Sequence, residues 1–179
     1  LYNDYRNMLG GSITYIQERK MDYIAYEWTS FGTNQKIVEY QAPIGDTKDK
    51  SFIGVYNGGA FEINNIDFRT ETGTYVGLFG FNSGTIKNVV VATQYAINGS
   101  SRKDPIKSNQ EAYFGVLVGY NDGVIDNSAI AGYYLAGEKG KIYGYRNSNV
   151  YIGGLVGYNS INGLITNSAA DLPKLSIDM

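Results

Sequence analysis

Three segments of this chain are close variants of one another. Val76 to Val91 reads VGLFGFNSGTIKNVVV, Gly115 to Ile130 reads GVLVGYNDGVIDNSAI, and Gly153 to Ala169 reads GGLVGYNSINGLITNSA. Internal repetition constrains a fold more than local propensity does, because a unit this short cannot bury its apolar face alone and must stack on its neighbours. Alignment puts Leu78, Leu117 and Leu155 in one column, then Phe79, Val118 and Val156. The glycines Gly80, Gly119 and Gly157 follow, spaced by 39 and 38 residues. Next come the aromatics Phe81, Tyr120 and Tyr158, the asparagines Asn82, Asn121 and Asn159, and a glycine turn at Gly84, Gly123 and Gly163. A second strand carries Ile86, Ile125 and Ile165, with Asn88, Asn127 and Asn167 two residues on. A weaker fourth copy, Phe52 to Phe68, offers Tyr56-Asn57, a glycine pair, Ile63 and Asn65 in matching places.

The period excludes stacked helices: the apolar positions miss the helical spacing, and glycine recurs every few residues. The chain holds 23 Gly and 17 Tyr against 3 Pro, a bias that suits short strands joined by tight turns. The expected fold is therefore all-β, a parallel β-solenoid of about four to five coils with equivalent strands about 4.8 Å apart. Each alignment column then becomes a ladder. Leu78, Leu117 and Leu155 are expected inside, as are Ile63, Ile86, Ile125 and Ile165. Asn65, Asn88, Asn127 and Asn167 are expected to form a buried amide ladder, in preference to acting as local turn formers. For Asn82, Asn121 and Asn159 the two readings stand level.

Residues 1–50 are read as an N-terminal cap and first coil, and 51–179 as the repeats of one continuous domain. Asn3 can cap a short helix that Gly10-Gly11 would stop. Strands are expected in Ser12 to Glu18, Tyr23 to Ser30 and Lys36 to Tyr40, and Asp46 to Lys50 reads as a solvated loop. The chain opens on Leu1 and stops soon after a repeat, so it reads as a piece of a larger parent chain.

GLFGFNSGTIKN, GVLVGYNDGVIDNS and GGLVGYNSINGLITNS resemble the GLUG motif, named for its G-L-x-G core and found in large bacterial surface and secreted proteins. These include adhesins and regions flanking IgA-specific metallopeptidases. Pro43 to Phe68 resembles the coil that commonly precedes the first such copy, and the likeness extends to about Ala170. It implies a right-handed parallel β-helix, exported to the cell surface or the extracellular space, acting as a stalk or binding module. The third turn, longer by two residues, and the long connections depart from the pattern. The motif carries no catalytic residue.

The residues themselves bear on chemistry. With no Cys and no His, the usual zinc, haem and thiol chemistries and any histidine-based triad are removed. A formal charge of −2 argues against a dedicated nucleic-acid binder, and no apolar run approaches the roughly 18 residues of a membrane span. No cofactor is expected. Glycoside hydrolysis needs two carboxylates across one cleft, whereas Asp122 and Asp126 read as turn residues. Asp46 and Asp49 lack the dense oxygen spacing of a calcium loop. An enzyme is not expected, although a polysaccharide-cleaving β-helix and a non-catalytic segment of a secreted metallopeptidase stand as rival readings.

The connections between copies are more informative. Asn98 to Glu111 and Ala136 to Ser148 fall at the same phase of the repeat, so stacking would place them on one flank. They would bring Arg102, Lys103 and Lys107 beside Lys139, Lys141 and Arg146, with Tyr143 and Tyr145. Cations among tyrosines suit a host glycan or a host surface protein with acidic groups. The alternative is that they are solvated connections with no partner, and it has the better claim on sequence alone.

Overall fold

A computed structural model describes residues 13–22, 26–29, 36–39, 42–64, 66–69, 74–92, 95–98, 111–131, 141–143, 149–171 and 176–178. Short apolar runs punctuated by Gly and Asn give strands of two to four residues. The first partial coil holds β1 (Thr14–Ile16) and β2 (Met21–Asp22), followed by β3 (Tyr26–Thr29) and β4 (Lys36–Glu39). The next holds β5 (Val55–Asn57), β6 (Glu62–Asn64) and β7 (Ile66–Arg69). One full turn comprises β8 (Tyr75–Val76), β9 (Phe79–Asn82), β10 (Thr85–Lys87), β11 (Val90–Ala92) and β12 (Tyr95–Asn98). Another comprises β13 (Ala112–Gly115), β14 (Val118–Asn121), β15 (Val124–Asp126), β16 (Ala129–Ala131) and β17 (Lys141–Tyr143). The last comprises β18 (Val150–Gly153), β19 (Val156–Asn159), β20 (Leu164–Thr166), β21 (Ala169–Asp171) and β22 (Ser176–Asp178).

Equivalent strands of successive turns pair in parallel. The sheets run β1-β5-β10-β15-β20, β2-β6-β11-β16-β21, β7-β12-β17-β22, β8-β13-β18 and β9-β14-β19. Only β3 and β4 pair antiparallel among the described strands. This all-strand architecture, with no helix among the described residues, is consistent with a parallel β-solenoid. The helix expected near residues 3–9 lies outside the described residues.

Register follows the repeat. Ile86 lies beside Ile125 and Ile125 beside Ile165, and Val118 lies between Phe79 and Val156. Phe79, Phe114, Leu117, Val118, Ile86 and Ile125 are wholly buried, and Leu78 nearly so. Leu155 and Ile165, in the last coil, are half-buried. The weaker fourth copy, Phe52 to Phe68, is set differently from its expected alignment. Ile63 pairs with Val91, on the next face, and Tyr56 occupies the place beneath Ile86. Tyr56-Asn57 imitates the aromatic-Asn pair in letters, but the corner is supplied earlier: Ile44 bridges Phe79 and its carbonyl accepts from the Gly80 amide at 2.8 Å. Residues 46–51 are an excursion between that corner and Phe52.

The asparagines correct the expectation of a buried ladder at Asn88, Asn127 and Asn167: Asn127 and Asn167 are exposed, and the buried ladder lies in the other column. Asn82 Nδ2 donates to Asn121 Oδ1, and Asn121 Nδ2 to Asn159 Oδ1, both at 2.7 Å. Asn82 and Asn121 are fully buried, so the buried ladder runs beside the glycine turn. Asn127 is exposed and donates to Asn88 Oδ1, while Asn88 donates to Asn57 Oδ1, each at 2.8 Å. Asn167 donates to Asp126 Oδ1 at 3.0 Å. Asn65 lies outside the described residues. What Asn88, Asn127 and Asn167 share is left-handed backbone, with φ of 54°, 45° and 50°, a conformation Asn tolerates better than most residues. The fixed offset from the Ile column therefore reflects a corner in the backbone.

A contrast of two variants follows. Asn121→Ala, which leaves the buried Asn82 amide without its acceptor, is expected to cost about 1–3 kcal/mol. Asn127→Gly keeps the left-handed corner and loses one exposed hydrogen bond, with an expected effect within about 0.5 kcal/mol. Urea titrations of the two variants check this; equal losses would contradict it.

Candidate functional site: a tyrosine ridge and a cationic flank

In the sheet of β8, β13 and β18 alternate residues point in and out. Val76 and Phe114 are buried, and Ile152 is half-buried. The residues before them, Tyr75, Tyr113 and Tyr151, are half-buried on the outer side. Their rings stack with centroids 5.4 and 5.1 Å apart and planes within 7° and 9°. A second column, Phe81, Tyr120 and Tyr158, stacks at 4.6 and 5.1 Å. The columns meet edge to face: Tyr75 on Phe81 and Tyr113 on Tyr120 at 5.1 Å, and Tyr151 on Tyr158 at 5.3 Å. Edge-to-face contact sets the positive rim of one ring against the negative face of another.

Tight corners between the two sheets make this possible. A Cβ on Gly115 would lie 2.1 Å from the Val118 carbonyl oxygen, and one on Gly119 2.6 Å from the Val76 nitrogen. Only glycine lets the strands approach so closely.

Glu111 anchors one column. Its Oε2 accepts from the Tyr113 hydroxyl at 2.6 Å, and its Oε1 from Tyr151 and Asn149 at 3.2 Å each. The hydrogen bond from Tyr113, with those from Asn149 and Tyr151, holds the Glu111 carboxyl below its ordinary range. Burial and Glu111 push the Tyr113 hydroxyl well above its own. Burial, with Asp49 nearby, raises Tyr75; burial, with Tyr158 and Asp122, raises Tyr120. Tyr75, Tyr113 and Tyr120 therefore stay protonated near neutral pH. Because the rings cover one another's faces, the ridge presents ring edges and hydroxyls; it is not a flat platform for a sugar ring.

Asp122 and Asp126 each serve the coil above. Asp122 Oδ1 accepts from Ser160 Oγ at 2.5 Å and Asn162 Nδ2 at 3.2 Å. Asp126 Oδ1 accepts from Thr166 Oγ1 at 2.8 Å and from Asn167, bonds that hold its carboxyl low, Thr166 foremost. Asp46 Oδ1 is shut off from solvent with no hydrogen-bond partner. Among the described residues no group of three or more potential ligands gathers to hold a metal, and no helix is long and apolar enough to cross a membrane.

A pH dependence follows for Glu111 and Asp126. A carboxyl whose folded pKa is depressed stabilises above its unfolded value, about 4 for these groups, and that contribution is lost as pH falls through the folded value. In Tyr113→Phe, Glu111 loses its shortest hydrogen bond, so its carboxyl is expected to titrate at higher pH than in the wild type. Side-chain carboxyl NMR across pH 2 to 6 reads the difference.

Of the flank proposed from sequence, Arg102, Lys103, Lys107, Lys139, Tyr145 and Arg146 lie outside the described residues. Lys141 and Tyr143 begin and end β17. That strand pairs with β12, setting Lys141 beside Ala96 and Tyr143 beside Asn98. The chain re-enters with Ala112 beside Val150. Segments 99–110 and 144–148 therefore leave and rejoin the stack at adjacent rungs. Lys139, in 132–140, precedes β17 and so belongs to the connection at that strand's other end. The ridge tyrosines Tyr75, Tyr113 and Tyr151 escaped the sequence reading, although each precedes a glycine by two residues at a constant 38-residue interval.

Comparison with family models, with curated proteins and with solved structures finds no match for this chain.

Proposed function

We propose that this chain is a non-catalytic β-solenoid module of a bacterial surface or secreted protein, a rigid stalk that carries a binding flank for an acidic host glycan or an acidic protein surface. The GLUG-like repeats support the bacterial surface setting and a right-handed coil. Parallel crossovers within one sheet also take that hand in about 98% of cases. The observation that carries the binding reading is the β12–β17 register. It sets Asn98, from which the connection holding Arg102, Lys103 and Lys107 starts, beside Tyr143, from which the one holding Tyr145 and Arg146 starts. Residues 99–110 carry three cations against one acid, and 144–148 one cation against none, on a chain whose formal total is −2. Loops fixed to a rigid scaffold are where binding concentrates. A local positive field attracts acidic partners over about 8 Å at physiological salt.

Arrays of glycans and host proteins, probed with the wild type and with Arg102→Ala, Lys103→Ala, Arg146→Ala combined, test the reading. The wild type is expected to bind acidic ligands with affinity that falls as salt rises, and the triple variant to lose it. Equal binding by both proteins would show that the two segments are connections only.

A further inference from the structure

Tyr113 and Tyr151 lie beside each other in the register of β13 and β18. Their ring centroids are 5.1 Å apart and their planes within 9°. Both hydroxyls converge on one carboxylate: Glu111 Oε2 accepts from Tyr113 at 2.6 Å, and Oε1 from Tyr151 at 3.2 Å. The ring carbons next to the two hydroxyls are thereby gathered on one edge of the pair. Asn149 also donates to Oε1 and steadies the carboxylate from the upper rung. Tyr113 is the hub of the ridge, in contact with Tyr75 and Tyr120 as well. The other outward pair, Tyr120 and Tyr158, has planes 26° apart, and among the described residues no carboxylate accepts a hydrogen bond from either hydroxyl.

A phenol that gives up an electron becomes a far stronger acid, so oxidation is easiest where a base already holds the hydroxyl proton. Glu111 is such a base. It lies within the reach that proton transfer needs, and its hydrogen bonds keep it ionised at neutral pH. We infer that Tyr113 and Tyr151 are a site of oxidative cross-linking, joined as dityrosine by a haem peroxidase and hydrogen peroxide, with Glu111 as the first proton acceptor. One electron leaves Tyr113 as its hydroxyl proton passes to Glu111, and one electron and one proton leave Tyr151. The two phenoxyl radicals join through the ring carbons next to their oxygens. The hydrogen on each of those carbons then moves as a proton to the neighbouring oxygen, which restores both rings and both hydroxyls. The peroxide takes up the two electrons and two protons and becomes two waters. Both rings are half-buried on the outer side of their sheet, so they can turn from face-to-face stacking into the edge contact that the new bond requires. The chain has no cysteine and therefore no disulfide to tie coil to coil. A link from 113 to 151 would close a loop of one full coil and restrict the unfolded chain as a disulfide does.

Brief treatment of the dilute chain with a haem peroxidase and limiting hydrogen peroxide tests the inference. The wild type is expected to give a fluorescent monomer lighter by two hydrogen atoms, and peptide mapping is expected to join the Tyr113 peptide to the Tyr151 peptide. Tyr151→Phe is expected to lose that product. Glu111→Gln, whose amide oxygen can still accept from Tyr113, is expected to form it several-fold more slowly while keeping the wild-type near-ultraviolet circular dichroism of the stacked tyrosines before oxidation. A first link mapped to other tyrosines, links formed only between chains, or no link at all would overturn the site. Glu111→Gln reacting at the wild-type rate would overturn the part assigned to Glu111. So would loss of the tyrosine dichroism in that variant, which would make Glu111 an anchor of the stack and not its proton acceptor.

Discussion

Leu117→Ala is expected to lower the stability of the chain by about 2–5 kcal/mol, the range for a cavity cut into a packed core. Leu117 is fully buried. Its amide donates to the Leu155 carbonyl above at 3.1 Å, and its carbonyl accepts from the Phe79 amide below at 2.8 Å. A rung held from both sides has little room to collapse around a lost side chain. Leu155→Ala makes the same chemical change one rung higher, where the side chain is only half-buried, and should cost clearly less. Chemical denaturation of the two variants reads the difference. Equal losses would mean that position along the stack does not govern burial.

The second large effect belongs to a corner. Gly115→Ala is expected to cost about 3 kcal/mol, at the upper end of overpacking penalties. The new Cβ would stand 2.1 Å from the Val118 carbonyl oxygen and 2.6 Å from the Gly157 nitrogen. Both obstacles are backbone, so no side chain can swing aside. Relief would require opening the corner that joins β13 to β14, and with it the edge-to-face contact of Tyr113 with Tyr120. Thermal unfolding gives the stability change. Near-ultraviolet circular dichroism should show the tyrosine signal reduced, and a variant with wild-type values in both would contradict this account of the corner.

The parts legible in the sequence are those on which every copy agrees. Leu78, Leu117 and Leu155 share a column because one inward place recurs once per coil, and the Ile86, Ile125 and Ile165 column survives the two extra residues Ile161 and Asn162, which are absorbed in a turn. Legibility failed where residues of similar chemistry answer different demands. Tyr56-Asn57 has the letters of the aromatic-Asn pair, yet in register Tyr56 lies in the Ile column and Asn57 receives the Asn88 amide. The two asparagine columns read alike as letters, but a buried amide ladder and a left-handed corner favour the same residue for different reasons. The tyrosine ridge was missed because Tyr75, Tyr113 and Tyr151 precede the motif core, and their importance comes from stacking across coils.

The central claim is that equivalent residues of successive copies lie side by side in parallel register. The chain has no cysteine, so a pair introduced at neighbouring positions reports this directly. Thr85 pairs with Val124, both half-buried in the outward row of their sheet. Directly paired strand neighbours fall within the about 4.4–6.8 Å between Cα atoms that a disulfide needs. Thr85→Cys with Val124→Cys is expected to close a disulfide under mild oxidation. Thr85→Cys with Asp126→Cys, displaced by two residues along the strand, is expected to stay reduced under the same conditions. Intact mass and gel mobility score both proteins. Closure of the displaced pair in place of the aligned one, or of neither, would contradict the register on which the stack and its ladders depend.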